Sequence, residues 1–384
     1  MNQPIKSRRR GACPAAGAPM ASGDGLLSRV RLLGGRINAP DLAGLAEEAQ
    51  RWGNGLLDIT RRGNLQVRGL DADGEARFSA ALEEMGLAVT PPEAEAVRNV
   101  LTSAAADLDA TALMDPYPVA SALDQALAES PDLWTLPPKF RFVVCGGGAT
   151  SLAGVDADLR ADAVNTAAGP LYRLALAGDA SNAEPLGLCS PAETPQALLA
   201  LARFFLQANA QREEPAGRVA PVLAQLGAEA FQLDGIAWSP EALVSPERRH
   251  RDEVLGQRPG WLGVGVPFGR LNGAMLSELT AVARQYGDGS LRLTPQRRVL
   301  LPGVDAGARA RLDAAGLITA AGDARLAVEA CPGASGCLSG TTRTQDDARH
   351  WARAVPELFD ERMRVHVSGC PKGCAHSGAA RPAS

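Results

Sequence analysis

"GGRINAPDLAGLAEEAQRWGNGLLDITRRGNLQVRGL", residues 34–70, lies without a gap over "FGRLNGAMLSELTAVARQYGDGSLRLTPQRRVLLPGV", residues 268–304. Identical pairs include Gly35/Gly269, Arg36/Arg270, Asn38/Asn272, Leu42/Leu276, Leu45/Leu279, Gly53/Gly287, Gly55/Gly289, Thr60/Thr294 and Gly69/Gly303. A gapless internal match of this length is the mark of a duplicated unit. Each copy predicts strand, helix, turn, strand, strand. The helix spans 40–52, with Leu42, Leu45, Ala46, Ala49 and Trp52 at helical spacing. Gly53 is expected to end it, as glycine does just past a helix. "LLDIT" and "LQVRGL" alternate like strands around a tight turn at "RRGN". Two such half-domains are expected to pair about a pseudo-twofold axis.

The repeat continues more faintly. "AVRNVLTS" (96–103) takes the place of "AVEACPGA" (327–334), and "FRFVVCGGG" (140–148) that of "MRVHVSGCP" (363–371). The order is therefore half-domain, α/β domain, half-domain, α/β domain. The expected boundaries are a flexible tail at 1–20, half-domains at 21–75 and 246–305, and α/β domains at 76–245 and 306–384. "PQALLALARFFLQANAQ" (195–211) predicts a helix of the first α/β domain. "REEPAGRVAPVLAQLG" and "SPERRHRDE" are expected to be connectors or surface helices.

Composition narrows the class. The chain has 384 residues, 46% of them hydrophobic and 21% charged, with a formal net charge of −4. That length suits more than one domain, and no global basic field points to nucleic acid. No apolar run reaches the length of a membrane span. The N-terminus lacks the apolar core of a secretory signal, so a cytoplasmic location is expected. Seven cysteines, an odd number, fit a reducing compartment and a metal site better than a disulfide framework.

Four of the cysteines cluster late, Cys331 and Cys337 in "CPGASGC", Cys370 and Cys374 in "GCPKGC". Zinc knuckles favour closer pairs than C-x5-C. A four-thiolate iron–sulfur cluster on Gly- and Pro-rich loops fits better, because such loops turn backbone N–H groups toward sulfur. Zinc and uncommitted thiols remain the alternatives. Cys145 and Cys189 read as plain buried thiols.

C-x5-C with C-x3-C, downstream of a duplicated half-domain, resembles the nitrite/sulfite reductase family. The similarity covers about residues 24–378. It implies an α+β fold, a pseudo-twofold pair of ferredoxin-like half-domains plus two α/β domains, with a [4Fe–4S] cluster beside a tetrapyrrole. "RVRLLGG" is similar to the family's R-x-R-L-P-G-G segment and puts Arg31 on its anion-binding arginine. "ITRRGNLQVRG" resembles its T-x-R-x-x-x-Q-x-x-G segment, giving Arg62 and Gln66; "VRNVL" gives Arg98; "LPPKFRF" gives Lys139 and Arg141, where arginine replaces a lysine. The resemblance makes Arg31, Arg62, Arg98, Lys139 and Arg141 the substrate-binding set. Singly, each reads equally as a solvated charge. Together they are expected to line one cleft around a ligand fringed with carboxylates, which guanidinium groups meet in bidentate fashion. Arg36, Arg270, Arg297 and Arg298 are further candidates for its rim. Against the family the chain ends early, at Ser384, so a shortened last domain is expected.

Within the family, "RGACPAAGAPMASGDGLLSRVRL" and "GCPKGCAHSG" are similar to the precorrin-3B synthase branch. That implies precorrin-3A and oxygen as substrates, with electrons from NADH or a redox protein. A mononuclear non-haem iron would suit oxygen chemistry, but His250, His350, His366 and His376 form no facial-triad pattern. "CGGGATSLAG" and "GVGVPFG" lack the context of a dinucleotide loop. The catalytic residues themselves cannot be assigned from sequence. Two other readings stay open: a siroheme-dependent nitrite or sulfite reductase, and a cluster-binding electron carrier or inactive remnant.

Overall fold

The computed structural model describes residues 13–233, 236–237, 254–334, 336–354 and 364–373. It forms two compact units, one of Pro14–Leu87 with Val254–Ser384, the other of Ala88–Glu253.

The first half-domain contains β1 (Met20–Ser22), β2 (Gly25–Val30), β3 (Arg36–Asn38), α1 (Ala39–Trp52), β4 (Leu57–Ile59), β5 (Leu65–Leu70) and α2 (Ala72–Glu84). Asn38 caps α1 by accepting the Asp41 N–H at 2.8 Å, which satisfies one of the orphan donors of the first turn. Leu42, Leu45 and Ala49 are its buried stripe. The helix ends at Gly53 for a reason other than the expected one. Gly53 is extended (φ −123°). A Cβ there would stand 2.6 Å from the Arg68 carbonyl oxygen. Gly55 takes the positive φ of 73° instead, and Gly287 and Gly289 repeat the division in the second copy. The domain also extends past both expected edges. Ala15, Ala16 and Ala18 of the supposed tail are buried, and α2 packs back through Phe78 and Leu82, both fully buried.

The second unit follows with α3 (Pro92–Val97), β6 (Val100–Thr102), α4 (Tyr117–Ala128), β7 (Phe142–Cys145), β8 (Ala157–Thr166), β9 (Gly169–Gly178), β10 (Glu184–Cys189), α5 (Thr194–Ala210) and α6 (Val219–Leu226). Its sheet runs β10-β9-β8-β7-β6, parallel from β6 to β8 and antiparallel beyond. Helix α5 matches the stretch read from sequence. Helix α6, read as a connector, packs on β8 and β9 through buried Val219 and Val222. "SPERRHRDE" lies outside the described residues.

The second half-domain holds β11 (Gly256–Arg258), β12 (Trp261–Gly265), β13 (Arg270–Leu271), α7 (Gly273–Tyr286), β14 (Ser290–Leu293), β15 (Arg298–Pro302) and α8 (Arg309–Ala314). Asn272 caps α7 as Asn38 caps α1, and the two helices pack together. The copies also trade a strand. One sheet runs β1-β2-β5-β4-β13, the other β11-β12-β15-β14-β3. Each short strand ahead of a helix therefore completes the other copy's sheet, an exchange that no local sequence signal encodes. The C-terminal module, β16 (Val328–Ala330), α9 (Thr344–Ala354) and β17 (Val365–Val367), closes on Phe268, which packs with Val328, Ala330, Ala348 and Ala352.

Candidate functional site

The cysteine loops grow from the parallel pair β16 and β17, where Val328 faces Val365 and Ala330 faces Val367. The Cys331 N–H donates to the Val367 carbonyl at 3.1 Å. Its buried sulfur accepts the Gly369 N–H at 3.3 Å. Thr341 then ties the first loop to the second, its N–H and hydroxyl both donating to the Gly369 carbonyl at 2.8 Å. Glycine makes this closeness possible. A Cβ on Gly340 would stand 2.6 Å from Gly333 carbon, and one on Gly333 would stand 2.7 Å from the Thr342 carbonyl oxygen. Cys331, Cys337 and Cys370 are thus carried on two interlocked loops. Cys374 lies outside the described residues. No group of three or more His, Cys, Asp or Glu stands close enough to hold a metal ion among the described residues. A cubane makes a different demand: each thiolate binds its own iron, so the four sulfurs stand around the cluster. An amide aimed at a cysteine sulfur, on loops too tight for side chains, fits such a group.

In the same unit, half-domain 1 supplies cations. Arg31 follows β2 and is 7% exposed. Arg62 sits half-buried in the turn before β5, where its N–H donates to Thr60 Oγ1 at 3.2 Å. Val30 faces Leu65, and the Leu32 N–H donates to Asn64 Oδ1 at 3.0 Å. The two arginines therefore lie at one end of one strand pair. The neighbouring Arg61 reaches the C-terminal module, pairing with Glu329 at 2.6 Å. His366, across from Glu329 in the parallel pair, is 3.9 Å from the same carboxylate. His350 is exposed; His250 and His376 lie outside the described residues.

The other three cations belong to the second unit. Arg98 stands just before β6, and Lys139 and Arg141 just before β7, so they share one end of a parallel pair. Arg98 and Arg141 are committed locally. Arg98 donates from Nε and Nη2 to Asp124 at 3.0 and 2.6 Å and from Nη1 to Glu95 at 2.8 Å. Burial pulls its guanidinium down, but the two carboxylates outweigh that and hold it above its usual value. Arg98 is therefore the centre of an internal ion triad, which "VRNVL" gave no means of seeing. Lys139 is exposed, and its carbonyl accepts from Arg218 at 2.5 Å. The Arg141 N–H donates to Asp158 at 2.9 Å, while its guanidinium holds the Asp156 carbonyl. Burial, then the like charge of Arg218, pulls the Arg141 guanidinium below its usual value.

The rim candidates separate by copy. Arg270 makes a bidentate pair with Asp58, at 2.6 and 2.9 Å. Its counterpart Arg36 faces Arg292 across β3 and β14, and Arg298 follows on the same sheet face. Arg292 and Arg68, both nearly fully buried, were not among the residues picked out from sequence. Arg292 is the counterpart of Asp58 in the repeat, and that charge reversal was its available signal. No described helix is long and apolar enough to cross a membrane.

Comparison with known proteins agrees with this frame. A model of the nitrite/sulfite reductase ferredoxin-like half domain matches residues 18–85 and 256–316. A precorrin-3B synthase from Sinorhizobium sp is 33% identical, over 97% of this chain and 79% of that one. A ferredoxin–nitrite reductase from Synechococcus elongatus is 28% identical, over 91% of this chain and 73% of that one. Among solved structures, Mycobacterium tuberculosis NirA superposes with a TM-score of 0.76 at 23% identity, covering 91% of this chain and 69% of that one.

Proposed function

The chain belongs to the nitrite/sulfite reductase family, and on that premise we propose that it is the oxidoreductase converting precorrin-3A to precorrin-3B in cobalamin synthesis. One atom of dioxygen enters at a ring meso carbon and a neighbouring acetate closes a lactone. The other oxygen atom leaves as water, with an electron pair and protons from NADH or a redox protein. The observation that carries the reading is the pairing of interlocked cysteine loops with buried Arg31 and nearby Arg62 in one unit, in a chain 33% identical to a precorrin-3B synthase.

Cys331, Cys337, Cys370 and Cys374 would hold a [4Fe–4S] cluster, with the Gly369 N–H stabilising the Cys331 thiolate. When bound, the cluster supplies single electrons. Arg31 and Arg62 bind and orient substrate carboxylates. Each desolvated contact is worth about 1.5–3 kcal/mol. Cys331, the buried one of the three described loop cysteines, is shielded from water, while Cys337 and Cys370 stay partly exposed.

The test is anaerobic reconstitution with iron and sulfide, then incubation with precorrin-3A and labelled dioxygen. The expected product carries one labelled oxygen atom. Stoichiometric siroheme with nitrite or sulfite turnover in the absence of oxygen would replace this reading with a reductase. A cluster without tetrapyrrole binding would replace it with an electron carrier.

A further inference from the structure

Cys331 is fixed by its own module, through β16 and the Gly369 amide. Cys337 is held differently. Its carbonyl accepts the Gly340 N–H at 3.0 Å within the loop, and its other support comes from the far end of the sequence. We propose that Arg68 is a positioning residue for Cys337, closing a clamp in which the β1–β2 hairpin and β5 hold the Gly336–Cys337 peptide in place.

Arg68 is 3% exposed. Its guanidinium donates to the Gly336 carbonyl and to the Ser22 hydroxyl, and its Nε donates to Asp24 at 3.2 Å. Ser22 Oγ donates to the same Gly336 carbonyl at 2.6 Å. Gly23, in the turn of the hairpin, lies backbone to backbone with Cys337: a Cβ there would stand 2.8 Å from the Cys337 nitrogen. A Cβ on Gly336 would stand 3.2 Å from the Arg68 guanidinium. Ser22, Gly23 and Arg68 thus converge on the one peptide that precedes the cysteine. A guanidinium stays charged at any pH a protein survives. It therefore polarises that carbonyl and places a fixed positive charge beside a thiolate ligand. The repeat sharpens the assignment, because the counterpart of Arg68 in the second copy is Pro302, which can make no such contact.

The inference rests on the cluster reading for its consequence but not for its geometry, and the experiment separates the two. Arg68→Met, Arg68→Lys and the exposed control Arg51→Met are compared with the parent. In apo protein, hydrogen exchange across residues 331–340 is expected to run about tenfold faster in Arg68→Met, the equivalent of one lost charged hydrogen bond. Exchange in α1 stays unchanged, and Arg68→Lys falls between. In protein reconstituted with iron and sulfide, Arg68→Met is expected to lose iron to a chelator about tenfold faster. Its midpoint potential moves to more negative values, because a positive charge near the cluster is gone, and Arg68→Lys restores that potential. Loop exchange and iron release equal to the parent overturn the clamp. If Arg68→Met does not fold, Ser22→Ala keeps the charge and removes one contact to Gly336. It must then accelerate loop exchange to a smaller degree, and parental exchange there also overturns the clamp. A parent protein that takes up no cluster overturns the functional reading instead, while the exchange measurement still decides the role of Arg68.

Discussion

The two halves of the chain share a backbone and differ in what they attach to it. After β6 comes Ser103, whose hydroxyl accepts the Gly146 N–H at 3.2 Å. After β16 comes Cys331, whose sulfur accepts the Gly369 N–H at 3.3 Å. Strand register makes these pairs counterparts, since Val100 faces Phe142 as Val328 faces Val365. The first half closes its loop on itself, with Ser103 donating to the buried Cys145 at 3.6 Å and Cys145 accepting the Leu152 N–H at 3.2 Å. The second half offers thiols on two loops instead. In both halves the parallel pair supplies an amide pointed at one side-chain position, which holds a hydroxyl in the first half and a thiol in the second.

Exchanging those residues is the strongest way to break the comparison. Cys331→Ser is expected to abolish iron and sulfide uptake on reconstitution, because a hydroxyl is a poor ligand for a soft site. The apo fold survives, since Ser103 shows the position accepts a hydroxyl. Ser103→Cys is expected to bring no iron to the first half, whose other cysteines, Cys145 and Cys189, sit buried in β7 and β10. Metal and sulfide analysis reads both. A cluster retained in Cys331→Ser would end the argument that this position is a ligand.

A smaller effect separates the half-domains. At the turn before the exchanged strand, the first copy has Gly34 at φ 61° and the second has Phe268 at φ 55°. A side chain in that left-handed region costs about 1–2 kcal/mol. Phe268 is nonetheless 6% exposed and packs into the core of the C-terminal module. Phe268→Gly is therefore expected to destabilise the protein by a net of about 2–3 kcal/mol, the loss of a buried aromatic less the relieved strain. Gly34→Ala should cost about 1 kcal/mol from strain alone. Denaturant unfolding monitors both, and a neutral Phe268→Gly would show that the module does not depend on half-domain 2.

Much of this was legible because duplication prints itself in sequence. The twin caps Asn38 and Asn272, helix α1, and the cysteine spacing follow from residue type and period. What escaped was set by non-local contacts. The faint repeat was read with Val97 over Val328, but pairing with β7 and β17 puts Val100 there, three residues on. That slip hid the match of Ser103 to Cys331. Arg68 escaped because strict alternation places it on the same face as half-buried Gln66. The β2–β5 register shifts between Leu26 and Ser28, and Gly69 takes φ 75°, which turns Arg68 inward. Arg98 escaped because Asp124, its partner, lies on a different helix.

The smallest expected effect on stability is the most informative about function. In the hairpin turn the first copy places Gly63 at φ 69°, the second Arg297 at φ 59°, and both donate N–H to the threonine that opens the turn, Thr60 or Thr294. Arg297→Gly relieves about 1 kcal/mol of left-handed strain. It gives back about 0.5–1 kcal/mol in backbone entropy, and loses a long contact from Nη1 to the Phe268 carbonyl at 3.4 Å. These terms nearly cancel, so thermal unfolding is expected to move little. An arginine held at positive φ where the first copy has glycine fits a residue kept for a ligand. On the proposed function, Arg297→Gly should therefore weaken precorrin binding by about tenfold, the worth of one carboxylate contact, while the melting temperature holds. If unfolding shifts and binding does not, Arg297 belongs to the packing over Gly269, where a Cβ would stand 2.5 Å from its Cδ, and the second copy takes no part in holding the substrate.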